Sequence, residues 1–293
     1  MQYIRHTDER NEEGRRITFY MQEPAMGLQA RQIYQFYDGI QTVRAWAELE
    51  NTGTDELGIE YVSSFALTGV ERGGLSAPED KMRVWIPHNT WCREAQWKTY
   101  SFPEVGLTSS QIRQRQHSAT ALSVGNTGTW STKSYLPMGY LENTETGAAL
   151  LWQIENNGSW HWEIGDQTGH YYLLLSGPTE SDSHWWKRLK PGEQFISVPA
   201  AISVINGTFS QAVGEMTKYR RKIRRNHSDN VKASVIFNDY MNCLFADPTT
   251  EKEKQMIDAA AKLGCEYYVV DGGWYSAGYW WASVGEWKES KER

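Results

Sequence analysis

The sequence is poor in cysteine and contains no long apolar run. Its 293 residues include only three cysteines, Cys92, Cys243 and Cys265, which are far apart and lack the C-x-x-C spacing of zinc sites. We therefore expect buried free thiols, no metal site and no cofactor. No segment approaches the roughly 20 apolar residues of a membrane span, and the first ten residues lack the features of a secretory signal. These absences predict a soluble, cytoplasmic protein without a membrane partner.

The charge balance also excludes a class of partner. The chain carries 30 Lys and Arg against 36 Asp and Glu, which gives a formal net charge of -6. A chain that is acidic overall is not typical of nucleic-acid binding.

The unusual feature of the composition is the aromatic content, since 14 Trp and 16 Tyr raise the aromatic share to 13%. Flat rings can cover the apolar C–H face of a sugar, although aromatic residues also pack between sheets in many β-rich domains.

Short alternating runs predict antiparallel β-structure from the start of the chain to about residue 205. The clearest run alternates at Val43, Ala45, Ala47 and Leu49, and it is followed by a loop-forming cluster at 51–56. Further strands are expected at 57–67, 81–86, 148–155, 161–165, 171–176 and 194–204. This number of strands is typical of a large β-sandwich.

The pattern changes to helix and then to strand, helix and strand after residue 207. Thr208 and Gln211 form a capping box at the start of an amphipathic helix. Residues 233–238 and 265–271 are short apolar runs that we interpret as strands buried on both faces. A helix between them is expected to begin with a Thr250–Glu253 capping box and to end at Gly264. Such a βαβ unit requires a parallel sheet.

Functional side chains are expected where these two strands end, because the loops there line the crevice of parallel α/β folds. The first strand is followed by Asn238-Asp239-Tyr240, and the second ends in Asp271-Gly272-Gly273-Trp274-Tyr275. A carboxylate near an aromatic ring can hold a sugar. The same residue types are common in turns, so the local pattern leaves both interpretations open.

The segment 269–275, V-V-D-G-G-W-Y, followed by V-G-E-W at 284–287, resembles V-L-D-D-G-W-F... L-G-D-W of family 36 glycoside hydrolases, the bacterial α-galactosidases of melibiase type. Four upstream segments resemble parts of the large amino-terminal β-sandwich of that family: 36–39, 44–49, 63–69 and 88–97. The resemblance implies a mostly β fold. It consists of a large antiparallel β-sandwich (supersandwich) at 1–206, a linker helix at 207–230 and the first βαβ unit of a truncated (β/α)8 barrel at 231–293.

The family resemblance further implies retaining hydrolysis of terminal α-galactosides of oligosaccharides by two carboxylates about 5 Å apart. Both lie on later barrel strands, so the resemblance assigns no catalytic residue to this chain, and we expect it to be an inactive part of a longer, homo-oligomeric enzyme. The resemblance points to substrate binding by Asp271, the first of a pair of galactose-binding aspartates, and by Trp274. Asp239 and Tyr240, after the first strand, complete the predicted binding set.

The sequence departs from the family pattern at two positions. Gly272 stands where the second aspartate is expected, and Tyr240 stands where the family often has Trp. Without the second aspartate the site lacks one charge-assisted hydrogen bond to a sugar hydroxyl, worth about 1.5 to 3 kcal/mol. The preferred substrate could therefore carry another sugar, as in an α-N-acetylgalactosaminidase. Two further alternatives are a transglycosidase, which shares the covalent intermediate, and a carbohydrate-binding or oligomerisation β-sandwich module.

Overall fold

The computed structural model describes residues 1–108, 120–167 and 169–293. The chain divides into two compact units, Met1–Ile223 and Arg224–Arg293. None of the helices in these described ranges has both the length and the apolar character needed to span a bilayer.

The described part of the first unit is built mainly from sixteen strands. They are β1 (Gln2–Asn11), β2 (Gly14–Glu23), β3 (Leu28–Tyr37), β4 (Thr42–Asn51), β5 (Leu57–Ile59), β6 (Ser63–Thr68), β7 (Met82–Thr90), β8 (Arg93–Ser101), β9 (Ala121–Asn126), β10 (Met138–Asn143), β11 (Ala148–Ile154), β12 (Trp160–Gln167), β13 (His170–Ser176), β14 (Lys187–Leu189), β15 (Gln194–Ile196) and β16 (Ala200–Asn206).

Two antiparallel sheets dominate this unit. The larger has ten strands in the order β1-β2-β3-β4-β16-β11-β10-β7-β8, with β15 also paired to β4. The smaller has the order β6-β13-β12-β9, and β5 pairs separately with β14. The prediction of a mostly β protein with a large antiparallel β-sandwich is confirmed.

The main core lies between the two sheets. Alternation along β4 buries Ala45, Ala47 and Leu49, as the sequence predicts. Trp152 of the large sheet meets Trp162 of the small sheet, and neither side chain is exposed to solvent. Burial of such large aromatic side chains supplies much of the hydrophobic stabilisation of the sandwich.

Two predicted strands are each divided in the structure. The run 57–67 separates into β5 and β6, which belong to different sheets. The run 194–204 separates into β15 and β16, which pair with successive parts of β4. Between them, Ser197 donates its backbone N–H to the Ala47 carbonyl, and its hydroxyl accepts the Ala47 N–H at 2.9 Å. Pro199 follows, and its missing N–H is consistent with the break in the ladder.

Helices are few in the described part of the first unit. Two single turns, α1 (Pro78–Lys81) and α2 (Glu180–Ser183), and a 3-10 turn (Pro103–Val105) precede α3 (Phe209–Ile223). The predicted capping box is present: Thr208 N–H donates to Gln211 Oε1 at 2.8 Å, and Gln211 N–H donates to Thr208 Oγ1 at 3.4 Å. The buried face of α3 packs on Tyr37, Tyr140 and Leu151. The helix therefore covers the side of the large sheet that faces away from the small sheet.

The second unit contains a parallel strand pair and a crossover helix. After the single turn α4 (Asp229–Lys232) come β17 (Ile236–Asn238), α5 (Thr250–Lys262), β18 (Tyr267–Val269) and a 3-10 turn (Trp280–Ser283). The predicted βαβ unit is thus present. The predicted Thr250–Glu253 capping box is wrong by one residue: Thr249 is the N-cap, its Oγ1 accepts the Lys252 N–H, and Thr250 is already the first helical residue. Gly264 has a left-handed φ of +80°, as expected for its terminating position.

The predicted burial of the two parallel strands is wrong for the described chain. Ile236 is 59% exposed and Tyr267 is 56% exposed, because two strands and one helix cannot cover both faces of a parallel sheet.

The prediction of buried cysteines is also wrong. Cys92 and Cys243 are exposed and Cys265 is half-buried, although all three are free. Cys92 lies in the turn between β7 and β8.

Candidate functional site

The candidate site lies at the carboxyl ends of β17 and β18. The two strands are parallel neighbours, with Asn238 in register with Val269. The segments that leave them, 239–245 and 270–275, therefore start side by side. The four residues predicted from the sequence to bind substrate all belong to these segments. This arrangement is the position expected for ligand contacts in parallel α/β architecture.

Asp239 is the buried member of the set. This residue is only 2% exposed, and its Oδ1 accepts the backbone N–H of Asp271 at 2.8 Å. Its own N–H donates to the Val269 carbonyl at 3.3 Å. Asp239 therefore fixes the start of the second loop relative to the first.

Asp271 is exposed and held in place from the neighbouring strand. Its Oδ2 accepts a hydrogen bond from Asn238 Nδ2 at 2.8 Å. Its other oxygen has no hydrogen-bond partner within the described ranges. Asn238, for which the sequence alone predicts no role, thus orients a carboxylate that has one oxygen available to a ligand.

Aromatic side chains form two groups beside these carboxylates. Tyr240 stacks on Phe245, with ring centroids 5.1 Å apart and planes at 19°, and meets the edge of Trp280 at 6.0 Å. Trp274 packs edge to face with Tyr275 at 5.3 Å and lies 6.4 Å from Trp287. The sequence interpretation did not assign a role to Trp280. Its only signal was the aromatic density of 279–281.

The adjacent glycines have different structural roles. Gly273 has a φ of +98°, and a Cβ there would collide with the Ala246 carbonyl oxygen. Gly272 has no such backbone requirement, and a Cβ there would make ordinary contacts of 3.5 Å with Ala246 and 3.6 Å with Trp280. The second loop therefore needs glycine at 273 but not at 272.

Glu253 of α5 is a neighbour of Asp239 and Tyr268. Tyr268 donates its hydroxyl to Glu253 Oε2 at 2.6 Å. Burial raises the pKa of Glu253, the Tyr268 hydroxyl acts in the opposite direction, and the neighbouring carboxyl group of Asp239 raises the pKa further. Burial also raises the pKa of Tyr268, with the bond to Glu253 as the next cause. Nothing in the sequence pattern beyond a helix-capping position pointed to this glutamate.

The described residues contain no cluster of three or more His, Cys, Asp or Glu side chains that could hold a metal ion. The arrangement at the strand ends instead consists of an oriented carboxylate, amide and hydroxyl groups and flat aromatic surfaces. Carboxylates and amides hydrogen-bond sugar hydroxyls, and aromatic faces cover apolar sugar C–H groups.

Comparisons with known proteins agree with the sequence resemblance. No protein-family model matches the chain. The alpha-galactosidase Mel36A of Lactobacillus acidophilus is 26% identical over 157 residues, which are 52% of this chain and 20% of that protein. The chain therefore spans only a small part of that relative.

Solved structures match over most of this chain. The alpha-galactosidase of Lactobacillus brevis is 15% identical with a TM-score of 0.72, and the match covers 94% of this chain and 36% of that one. The GH36 alpha-galactosidase AgaA of Geobacillus stearothermophilus is 16% identical with a TM-score of 0.76, covering 94% of this chain and 37% of that one. Other AgaA structures contain stachyose or raffinose. The fold and the resemblance to the amino-terminal region of family 36 are thereby confirmed.

Proposed function

We propose that this chain is the amino-terminal part of an α-galactosidase-type retaining glycoside hydrolase that acts on terminal α-galactosides of oligosaccharides. The observation that carries the proposal is the arrangement of Asp271, held by Asn238 and Asp239 at the ends of two parallel strands, within a chain that shares the fold of such enzymes. That one relative is crystallised with stachyose and raffinose supports the substrate class.

The second unit would be the start of the catalytic barrel. Its parallel βαβ unit leaves apolar side chains such as Ile236 and Val269 open to solvent. Further strands and helices of a (β/α)8 barrel would cover them, as parallel sheets in such folds are covered on both faces. The catalytic carboxylates would lie on those later strands, about 5 Å apart for retention.

Within that barrel, Asp271 would accept a hydrogen bond from a sugar hydroxyl through its available oxygen. Trp274 and Tyr240 would provide aromatic surface beside the sugar, and Asp239 would brace the backbone of Asp271. Cytoplasmic location, predicted from the sequence features of the chain, and homo-oligomeric assembly, implied by the family resemblance, belong to the same proposal for the full-length enzyme.

The test compares two proteins with p-nitrophenyl α-galactoside: the 293-residue chain and a longer protein in which the same residues continue through a complete barrel. Activity is expected only in the longer protein. In that protein, Asp271→Asn should lower kcat/KM by about 10- to 100-fold, the equivalent of losing a hydrogen bond to a charged group. Activity of the short chain, or an unchanged Asp271→Asn variant, would contradict the proposal.

Gly272 provides the test of sugar specificity. The site has room for a Cβ at this position, so Gly272→Asp should supply the second aspartate without moving the loop. If the natural substrate is a galactoside, this variant should bind galactose more tightly. If the substrate is an N-acetylated galactoside, the variant should instead lose activity on p-nitrophenyl α-N-acetylgalactosaminide. Release of free sugar against transfer to an added acceptor separates hydrolysis from transglycosylation.

A second candidate function is carbohydrate binding by the sandwich itself. A cleft of about 620 Å³ lies between the β7–β8 hairpin and the 130–135 loop. Trp130 is 49% exposed there, and its indole N–H donates to Thr132 Oγ1 at 3.1 Å. Arg93 and Lys133 line the same cleft without an ion pair to any described residue. Such fixed aromatic and polar groups are typical of sugar sites.

The two candidates are separated by calorimetric titration of the 293-residue chain with raffinose. If the sandwich itself binds carbohydrate, raffinose should bind to the 293-residue chain. Trp130→Ala should abolish this binding, and Asp271→Asn should leave it intact. Absence of binding to the short chain, or binding insensitive to Trp130→Ala, would contradict it. Trp186→Ala, at another exposed tryptophan of the same unit, is the matched control.

A further inference from the structure

The carboxyl group of Asp239 is close enough to that of Glu253 to act on its pKa. Asp239 follows β17, and Glu253 projects from the first turn of α5. Asp239 Oδ1 accepts the Asp271 N–H, and Glu253 Oε2 accepts the Tyr268 hydroxyl. The remaining oxygens, Asp239 Oδ2 and Glu253 Oε1, are buried, and neither has a donor among the described residues.

Two ionised carboxylates in this arrangement would repel each other and leave two buried acceptors unsatisfied. One proton resolves both problems, because a protonated carboxyl group donates a hydrogen bond to a carboxylate acceptor. Glu253 is the better holder of that proton. Asp239 is needed as an acceptor for the Asp271 N–H, whereas the site raises the pKa of Glu253 through burial and through Asp239.

We propose that Glu253 is a positioning residue for Asp271: in its protonated form it donates a hydrogen bond to Asp239, which holds the backbone of Asp271. The chain of contacts runs from α5 through Asp239 to the exposed carboxylate. This inference rests on the proposed function, since Asp271 matters only if it binds substrate. The groups that face Glu253 are Asp239 and Tyr268, and Cys243 in turn faces Tyr268.

The pair is expected to make the site sensitive to pH. Because the pKa of Glu253 in the folded chain lies above its ordinary value of 4.5, its contribution to stability is complete below that value. The contribution is lost as the pH rises through the raised pKa. Glu253→Gln keeps a donor toward Asp239 and an acceptor toward Tyr268, so this variant imitates the protonated state at every pH.

The experiment is a carboxyl titration of the 293-residue chain by NMR, with ¹³C-labelled Glu and Asp and no sugar present. One glutamate signal should titrate above the ordinary range and disappear in Glu253→Gln. Asp239→Asn should lower the pKa of Glu253, because it removes a neighbouring negative charge. Tyr268→Phe should raise it further, because it removes a hydrogen bond that favours the charged form. Equal effects of these two variants, or a Glu253 signal in the ordinary range, would overturn the inference.

The link to Asp271 is measured in the longer protein. Glu253→Ala should raise KM for p-nitrophenyl α-galactoside by about tenfold. Glu253→Gln should have the KM that the wild type shows at acidic pH, and this KM should stay the same at higher pH. Equal KM values for the two variants would contradict the positioning role. An anomalous titration in a protein that does not bind galactosides would instead refute the proposed function alone.

Discussion

Gly139 and Trp152 are direct cross-strand partners on β10 and β11, and the indole ring lies over the glycine. The same indole meets Trp162 of the other sheet at 5.2 Å, with the ring planes at 79°. The absence of a side chain at Gly139 thus allows the large sheet to present a whole tryptophan to the small one.

A methyl group at position 139 would overlap the Trp152 ring. Gly139→Ala should therefore lower the free energy of unfolding by about 1 to 3 kcal/mol, as other overpacked cores do. Urea unfolding followed by circular dichroism measures this. Gly58→Ala is the control, because a Cβ at Gly58 of β5 meets no atom within 4 Å. If both substitutions lower the free energy of unfolding equally, the loss comes from replacing any strand glycine and not from overlap with the Trp152 ring.

The contact of α3 with the large sheet depends on a buried tyrosine. The Tyr219 hydroxyl donates to Glu155 Oε1, and Glu155 Oε2 accepts from Arg44 at 2.7 Å. Tyr219→Phe should destabilise the chain by about 1.5 to 3 kcal/mol, because it removes a hydrogen bond to a charged group. Thermal unfolding should show this loss. Thr217→Ala removes a hydroxyl that bonds the Val213 carbonyl of the same helix and should stay within about 0.5 kcal/mol.

Glu145 ties the 69–77 loop to the β10–β11 turn. Its carboxylate accepts the N–H groups of Leu75 at 2.7 Å and Ser76 at 2.9 Å, and these bonds hold its pKa below the usual 4.5. A lowered pKa in the folded state gives stability that is present above 4.5 and is lost as the pH falls. The Tm of wild type should exceed that of Glu145→Gln at neutral pH, and the difference should shrink in acid. Glu12→Gln, in the exposed β1–β2 turn, should change neither the Tm nor its dependence on pH. A difference independent of pH would refute the carboxylate as the cause.

Adjacent glycines of the candidate site should respond in opposite ways to alanine. Gly273→Ala combines a left-handed φ with a collision at Ala246, so it should open the second loop, at a cost of about 1 to 3 kcal/mol. Gly272→Ala should leave the loop intact. Hydrogen exchange of the Asp271 amide, which is bonded to Asp239, reports the difference. Similar exchange in the two variants would show that the loop does not depend on Gly273.

The sequence predicts local features well where one short segment decides the outcome. The alternation at Ala45, Ala47 and Leu49, the Thr208–Gln211 box and the turn at Gly264 all depend on neighbouring residues. Some features that are set by distant residues were not predicted. The division of 57–67 depends on which sheet each half joins, and the local sequence does not specify that choice.

The candidate site shows the same limit. Asp271 and Asp239 could be nominated because they follow apolar runs, and their roles as ligands stay predictions. Glu253 could not be nominated, since its significance depends on β17 and β18 placing Asp239 and Tyr268 around it. The exposure of Ile236 likewise depends on the number of elements that cover the sheet, which a local apolar run does not specify.

The pairing order of the large sheet has a consequence for synthesis on the ribosome. Strand β16 lies between β4 and β11 and joins the block β1–β4 to the block formed by β11, β10, β7 and β8. It is also the last of the ten strands to be translated. The nascent chain must therefore keep two unjoined half-sheets, each with an open edge, until residues 200–206 emerge. Such open edges are where newly made chains associate wrongly, so this interval is where the growing protein most needs chaperone protection.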